Sequence, residues 1–271
     1  MADSSGVADA GSLKRGVLLL KILASCGHRG LTLTQLAARA DLPHPTAHRV
    51  LRQLVQERLV ARNDELKRYR LGPLAYELGI AASTMYDLRD LCDDAMRTLA
   101  SATNDTVYLV VRSGVEAVCV HRIEGSFPIR ALILDVGSRR PLGIGAGGLA
   151  ILAATDEAER SAIIECIATR MCVTGRQAPL DLESACHATR ECGFSVIHDR
   201  VNLGVTAVGL TFGDSNGHPL GALSVAALSH RMPAQRIMRI AGLLLDACGT
   251  MERRIGDSTH SGWETGRPAA N

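Results

Sequence analysis

The stretch Leu42-Pro43-His44-Pro45-Thr46-Ala47-His48-Arg49-Val50-Leu51-Arg52-Gln53-Leu54-Val55 constrains the N-terminal part of this chain more than any other. Ala47, Val50, Leu51 and Leu54 recur at i, i+3, i+4 and i+7, which predicts one apolar stripe on a short helix. Thr46, Arg49 and Gln53, with His48 and Arg52 nearby, point away from it. Such side chains hydrogen-bond base edges or phosphates, and Arg addresses guanine in a bidentate way.

The surroundings give this helix a setting. Ser12 is a suitable N-cap for a helix through Leu13, Val17, Leu20 and Ala24 that ends near Gly27, and residues 28–33 read as a connector. A second helix is expected from Thr34, as N-cap, to Ala40, with Leu36, Ala37 and Ala40 inward. Asp41 tolerates the positive φ of a tight turn, and Pro43 and Pro45 suit a helix's opening turn, so the pair forms a helix-turn-helix. Beyond it, residues 59–62 and 67–71 read as a hairpin. Two-residue alternation puts Tyr69 and Leu71 on one face and Arg68 and Arg70 on the other, beside Arg62 and Lys67. A basic hairpin after a helix-turn-helix is a wing, able to lie along a phosphate backbone.

Charge supports the same reading. Residues 1–75 hold twelve Lys and Arg against six Asp and Glu, and the remainder holds eighteen against twenty-two. The formal net charge of +2 therefore hides a basic first part and a mildly acidic second. Aromatic residues make up 3% of the chain, which argues against stacking platforms for single-stranded nucleic acid. Met1-Ala2-Asp3-Ser4-Ser5 lacks the basic and apolar pattern of a signal peptide, and no run approaches ~20 apolar residues, so a cytoplasmic protein with free thiols is expected.

Residues 1–11 read as a disordered arm, 12–72 as a winged helix-turn-helix domain, and 73–102 as linker helices. Leu88, Leu91, Cys92, Ala95, Met96 and Leu99 form the buried stripe of the second linker helix. The period changes to that of strands at Thr106–Arg112 and Glu116–Ile123, with a third strand expected over Ile129–Leu134. Helical segments occupy about 146–192, and strands return at 194–198, 205–212 and 220–228, the last two joined by Asp214-Ser215-Asn216-Gly217. A closing helix buries Ile237, Ile240, Ala241, Leu244, Leu245, Cys248 and Met251. Residues 103–255 thus form an α+β domain around a mainly antiparallel sheet, and 256–271 a disordered tail.

With these elements in order, the chain resembles the IclR family of bacterial transcription regulators. The resemblance is carried by Ser12-Leu13-Lys14-Arg15, Leu31-Thr32-Leu33-Thr34-Gln35-Leu36-Ala37, the helix at 42–51, and Tyr69-Arg70-Leu71-Gly72-Pro73. In the second domain it is carried by Val136-Gly137-Ser138-Arg139-Arg140-Pro141-Leu142 and Gly221-Ala222-Leu223-Ser224-Val225. It implies a homodimer or homotetramer that binds double-stranded DNA at a palindromic or repeated operator. On this reading Thr46, His48, Arg49, Arg52, Gln53, Arg62, Lys67, Arg68 and Arg70 contact DNA.

It also implies a GAF-like C-terminal domain that binds a small organic effector, with no cofactor and no membrane. The effector site expected by resemblance comprises Gly145, Ala146, Gly147, Asp199, Ala207, Ser224 and Ala226. Here the chain departs from the family. Ala207 and Ala226 stand where a cysteine and a polar residue are usual. Gly143 and Leu149 replace a histidine and a basic residue, and Asp199–Gly204 lacks the usual Glu and Pro. A roomier, less polar pocket is the expectation, and a bulky Gly147→Trp substitution is expected to fill it without harming the fold.

Other chemistries have weaker support. The pairs Cys166/Cys172 and Cys186/Cys192, with His187 adjacent, are spaced too widely for a zinc knuckle and read as helical core thiols. Cys119 with His121, or Ser224 with His230 and an acid, would be the nucleophilic sets of an enzyme. No nucleophile elbow, phosphate loop or HExxH motif surrounds them, and Cys119 and His121, two apart on a strand, are expected to share a packing face.

Overall fold

The computed structural model describes residues 5–26, 29–83, 88–129, 131, 134–173, 181–200 and 202–259. The chain divides into two compact units, Met1–Tyr86 with Asp135–Ser138, and Asp87–Leu134 with Arg139–Asn271.

In the first unit, α1 (Ser5–Ala24) begins seven residues ahead of the expected cap at Ser12, so the arm assigned to residues 1–11 is helical from Ser5 on. Gly27, its expected terminator, lies outside the described residues. The connector contains a short strand, β1 (Leu31–Thr32), that sequence reading did not find. The cap of α2 (Leu33–Ala40) is Thr32 rather than Thr34. Thr32 Oγ1 accepts from the Gln35 amide at 3.3 Å, and Gln35 Oε1 accepts from the Thr32 amide at 3.0 Å, a capping box. Asp41 closes α2 at φ 51°, the left-handed turn expected there.

Helix α3 (His44–Gln56) follows, with Ala47, Val50 and Leu51 buried. Strands β2 (Val60–Asn63) and β3 (Arg68–Leu71) form the hairpin, and β1 adds to the free edge of β3, giving the order β1-β3-β2. Leu19, Leu23, Leu36, Val50, Leu51, Val60 and Tyr69 make one core. Gly72 ends the hairpin because nothing larger fits: a Cβ there would lie 2.2 Å from the Arg58 carbonyl oxygen. Helix α4 (Pro73–Ser83) packs beside β2.

The second unit opens with α5 (Leu88–Thr103), which was expected as a linker but packs as part of this unit, on α9 and β4. Strands β4 (Thr106–Ser113), β5 (Glu116–Ile123) and β6 (Arg139–Pro141) precede α6 (Ala146–Ala154), α7 (Glu157–Val173) and α8 (Leu182–Cys192). Strands β7 (Ser195–His198), β8 (Val205–Gly213) and β9 (Pro219–Leu228), a 3-10 turn at Ser229–Arg231, and α9 (Ala234–Thr259) complete it. The third strand expected at 129–134 is not formed among its described residues; β6, from the Gly-Ser-Arg-x-Pro motif, takes that edge. Helix α9 continues past residue 255, and Leu245, expected in its buried stripe, is 64% exposed.

The six strands are antiparallel in the order β6-β5-β4-β9-β8-β7. Both faces are covered, so the central strands are apolar on both sides. Tyr108, Val110, Ala222 and Ala226 pack with α6 and α8 on one face, while Val107, Leu109, Leu223 and Val225 pack with α5 and α9 on the other.

Candidate DNA-contact surface and effector site

Burying Ala47, Val50 and Leu51 forces the opposite side of α3 outward, and His48, Arg49, Arg52 and Gln53 are all exposed there. Thr46 is half-buried. The first turn of α3 holds no acidic residue, so its positive dipole end is unopposed by a carboxylate of its own.

The wing's four basic residues are not equivalent. Arg68 Nη1 donates to the Gly30 carbonyl at 2.9 Å and to that of Arg29 at 3.4 Å, so this guanidinium pins the connector to the hairpin. Arg62 pairs across the ladder with Tyr69 and shares its face, at 5.8 Å from the ring centroid and 3.3 Å from Asp64. The expected grouping of Arg62 with Arg68 and Arg70 is therefore corrected by the register, in which Asn63 and Ala61 are the partners of Arg68 and Arg70. Arg70 is exposed and lines a concavity with Leu23, Ala24 and Tyr76, while Lys67 sits exposed at the turn with φ 50°.

In the second unit, alternation along β8 and β9 turns Ala207, Ala226 and Ser224 toward α6, and Ala207 and Ala226 are cross-strand partners. Ala146 and Gly147 begin α6 directly above them, with Gly145 as its N-cap. Ser195 Oγ ties that helix end down: its single O–H is shared between the Ala146 carbonyl, at 2.7 Å, and the Gly209 carbonyl, at 3.1 Å. These residues are brought together, but tightly: a Cβ on Gly147 would meet Val110 Cγ2 at 2.6 Å and Ser224 Oγ at 3.6 Å. The expectation that Gly147→Trp spares the fold is overturned, because the glycine is a packing contact between helix and sheet.

Asp199 does not join this group. Its Oδ1 accepts from the Gly204 amide at 2.8 Å and from Ser229 Oγ at 2.7 Å, and Ser229 Oγ lies 2.9 Å from Thr206 Oγ1. Thr206 precedes Ala207 and faces the opposite side of the sheet, so Asp199 clamps the β7–β8 turn. Sequence reading missed Tyr108 and Arg140, which share the α6 face with Cys119. Tyr108 Oη donates to the Ala131 carbonyl, and burial lowers the pKa of Arg140, whose guanidinium has Tyr108 and Cys119 for neighbours. Arg140 is the variable residue of the Gly-Ser-Arg-x-Pro motif, and only the ladder, which pairs it with Ala117 of this core, places it on the α6 face.

Cys119 and His121 do not share the packing face that two-residue alternation predicts. A β-bulge shifts the register between Leu109 and Val110, so Cys119 pairs with Val110 on the α6 side and His121 with Leu109 on the α5 side. There His121 Nε2 lies 2.7 Å from Asp93 Oδ1. Ser224 is buried, whereas His230 is exposed in the 3-10 turn. Among the described residues, no three His, Cys, Asp or Glu side chains are grouped to hold a metal; the side chain of Cys172 lies outside them.

A basic winged helix-turn-helix followed in the chain by an antiparallel α+β domain is the architecture of a two-domain DNA-binding regulator. Residues 12–64 match the IclR helix-turn-helix domain, and residues 80–253 match the C-terminal domain of bacterial IclR transcriptional regulators. The chain belongs to the IclR family. It is a sequence-specific DNA-binding transcriptional regulator whose C-terminal domain binds a small effector.

The transcriptional repressor AllR of Escherichia coli K12 is 25% identical over 256 residues, covering 93% of this chain and 92% of that protein. An IclR regulator from Alicyclobacillus acidocaldarius superposes with a TM-score of 0.71 at 24% identity, covering 91% of this chain and 99% of that one. An IclR homologue from Microbacterium hydrocarbonoxydans, complexed with 4-hydroxybenzoate, gives a TM-score of 0.68 at 21% identity, covering 90% and 98%. Among the described residues, no helix is long and apolar enough to cross a membrane.

Proposed function

We propose that this regulator acts as a homodimer or homotetramer in the cytoplasm, without enzymatic activity, and places α3 of paired subunits in successive major grooves of a palindromic or repeated operator. The exposed set His48, Arg49, Arg52 and Gln53 on one face of α3 carries this reading. Arg62, Lys67 and Arg70 add backbone charge from the wing, whereas Arg68 supports the wing's shape. Self-association is supported by α4, whose Tyr76, Leu78 and Ile80 are 72%, 54% and 52% exposed, an apolar surface of the kind that partners cover.

The effector is a small organic molecule, such as a catabolic metabolite, bound on the α6 face of the sheet beside Ser224, Ala207 and Ala226. Arg140 and Tyr108 on that face suit an effector with an anionic group, as a carboxylate would be. The effector acts by binding two arrangements of the protein with different affinity.

The test is a fluorescence anisotropy titration of the full-length protein on the DNA beside its own gene. Saturable binding that weakens steeply with salt is expected. Substrate turnover without DNA affinity would replace the regulator by an enzyme.

A further inference from the structure

A second cleft lies on the other side of the sheet, remote in the fold from α6. It has a volume of about 480 Å³ and is bounded by the end of α5 (Ala102, Thr103) with Asn104, and by the start of α9 with the 3-10 turn before it. Three arginines line it: Arg231, Arg236 and Arg239. Among the described residues, one carboxylate pairs with two of them. Asp105 is buried, with Oδ1 on Arg231 Nη1 and Oδ2 at 2.7 Å from Arg236 Nη2.

The carboxylate fixes the guanidiniums without using them up. Arg236 Nη2 also donates to the Thr103 carbonyl at 2.8 Å, and Arg231 Cζ lies over the Phe127 ring, 3.5 Å from its centroid. A guanidinium has five donors, and Nε and Nη1 of Arg236 make no hydrogen bond among the described residues. Arg239, one turn further along α9, is exposed and makes no ion pair or hydrogen bond among them. The first turn of α9 has no acidic residue, so a helix of 26 residues directs its positive end at the same cleft. Ile240, Leu243 and Ala102 supply an apolar wall, and the volume falls in the range of small-molecule sites.

We propose that this cleft binds a small organic anion of two or more negative charges, a phosphate ester or a polycarboxylate, whose anionic head bridges Arg236 and Arg239. Arg231, held by Asp105 and Phe127, positions Arg236 through their shared carboxylate. The site is separate from the effector site proposed on the α6 face and stands whether or not that one does.

The experiment is calorimetric titration of the full-length protein with inorganic phosphate, pyrophosphate and citrate, against sodium chloride at matched ionic strength. Saturable binding of at least one of the three is expected, weakened about tenfold or more in Arg239→Gln, whose side chain is exposed and makes no ion pair or hydrogen bond among the described residues. Arg236→Gln should weaken it as well. Arg190→Gln, an exposed arginine of α8 outside both sites, should leave it unchanged. Absence of saturable binding by wild type, binding by Arg239→Gln equal to wild type, or equal loss in Arg190→Gln would each overturn the proposal.

Discussion

Gly147 of α6 and Val110 of β4 approach so closely that a Cβ on the glycine would lie 2.6 Å from Val110 Cγ2. The neighbours around this contact are small for the same reason: Ala222 Cβ and Ser224 Oγ would each lie 3.6 Å from that Cβ. Glycine here sets the depth to which α6 sinks onto the sheet, and with it the shape of any ligand space beside the helix end.

Gly147→Ala is therefore expected to destabilise the protein, although alanine is the better helix former. Val110 is buried and β-branched, so its methyl cannot swing away freely. Overpacking of this kind costs about 1–3 kcal/mol, against a gain in helix propensity of about 1 kcal/mol. Urea unfolding of the two proteins measures the balance. A midpoint at or above that of wild type would mean that Val110 yields.

The recognition helix was legible because its stripe and its outward set differ in chemistry at every position. The capping box was harder. Thr32 and Thr34 are both plausible caps, and only the reciprocal bond with Gln35 distinguishes them. Strand β1 escaped because two residues carry no period; it exists through its pairing with β3. Asp199 was drawn into the effector site by resemblance, whereas its carboxylate serves a turn. The split of Cys119 from His121 could not be read from alternation, since a bulge adds a residue to one strand without marking the sequence. Tyr108 and Arg140 were missed because a polar residue on a strand looks the same from either face until the register is known.

Arg49 and Arg68 should separate base reading from support of the wing. Arg49→Ala is expected to weaken operator binding by about 1–3 kcal/mol if it contacts a base. Arg68 is committed to the Gly30 and Arg29 carbonyls, so Arg68→Ala should lower the unfolding midpoint and leave the salt dependence of DNA binding near that of wild type. Anisotropy titrations over a salt series, with urea unfolding of each variant, measure both. Unaltered operator affinity in Arg49→Ala would remove that residue from the interface.

The thiols divide by burial. Burial pushes Cys92 and Cys248 up to about 12 and Cys186 up to about 11, and all three are enclosed, whereas Cys192 is exposed. Thiolate is the reacting form, so brief native alkylation followed by peptide mass spectrometry should label Cys192 and spare Cys92, Cys186 and Cys248 until denaturant is added. Rapid native labelling of Cys92 or Cys248 would reveal an opening of the α5–α9 layer.

Asp93 links α5 to the sheet and gives that layer a defined response to acid. Arg97 Nε donates to Asp93 Oδ2 at 2.6 Å and His121 Nε2 lies 2.7 Å from Oδ1, and these two bonds, Arg97's first, hold the Asp93 carboxyl below its ordinary value. A carboxyl whose pKa is lowered by folding stabilises the folded state above its unfolded value of about 3.9, and that stabilisation is lost as pH falls through the lowered one. Asp93→Asn keeps an oxygen facing His121 but removes the charge. The variant should be less stable than wild type at neutral pH, and the two should converge as the solution is acidified. Thermal unfolding of both proteins across a pH series measures this. A difference that stays constant into acid would assign the role of Asp93 to shape and hydrogen bonding rather than charge.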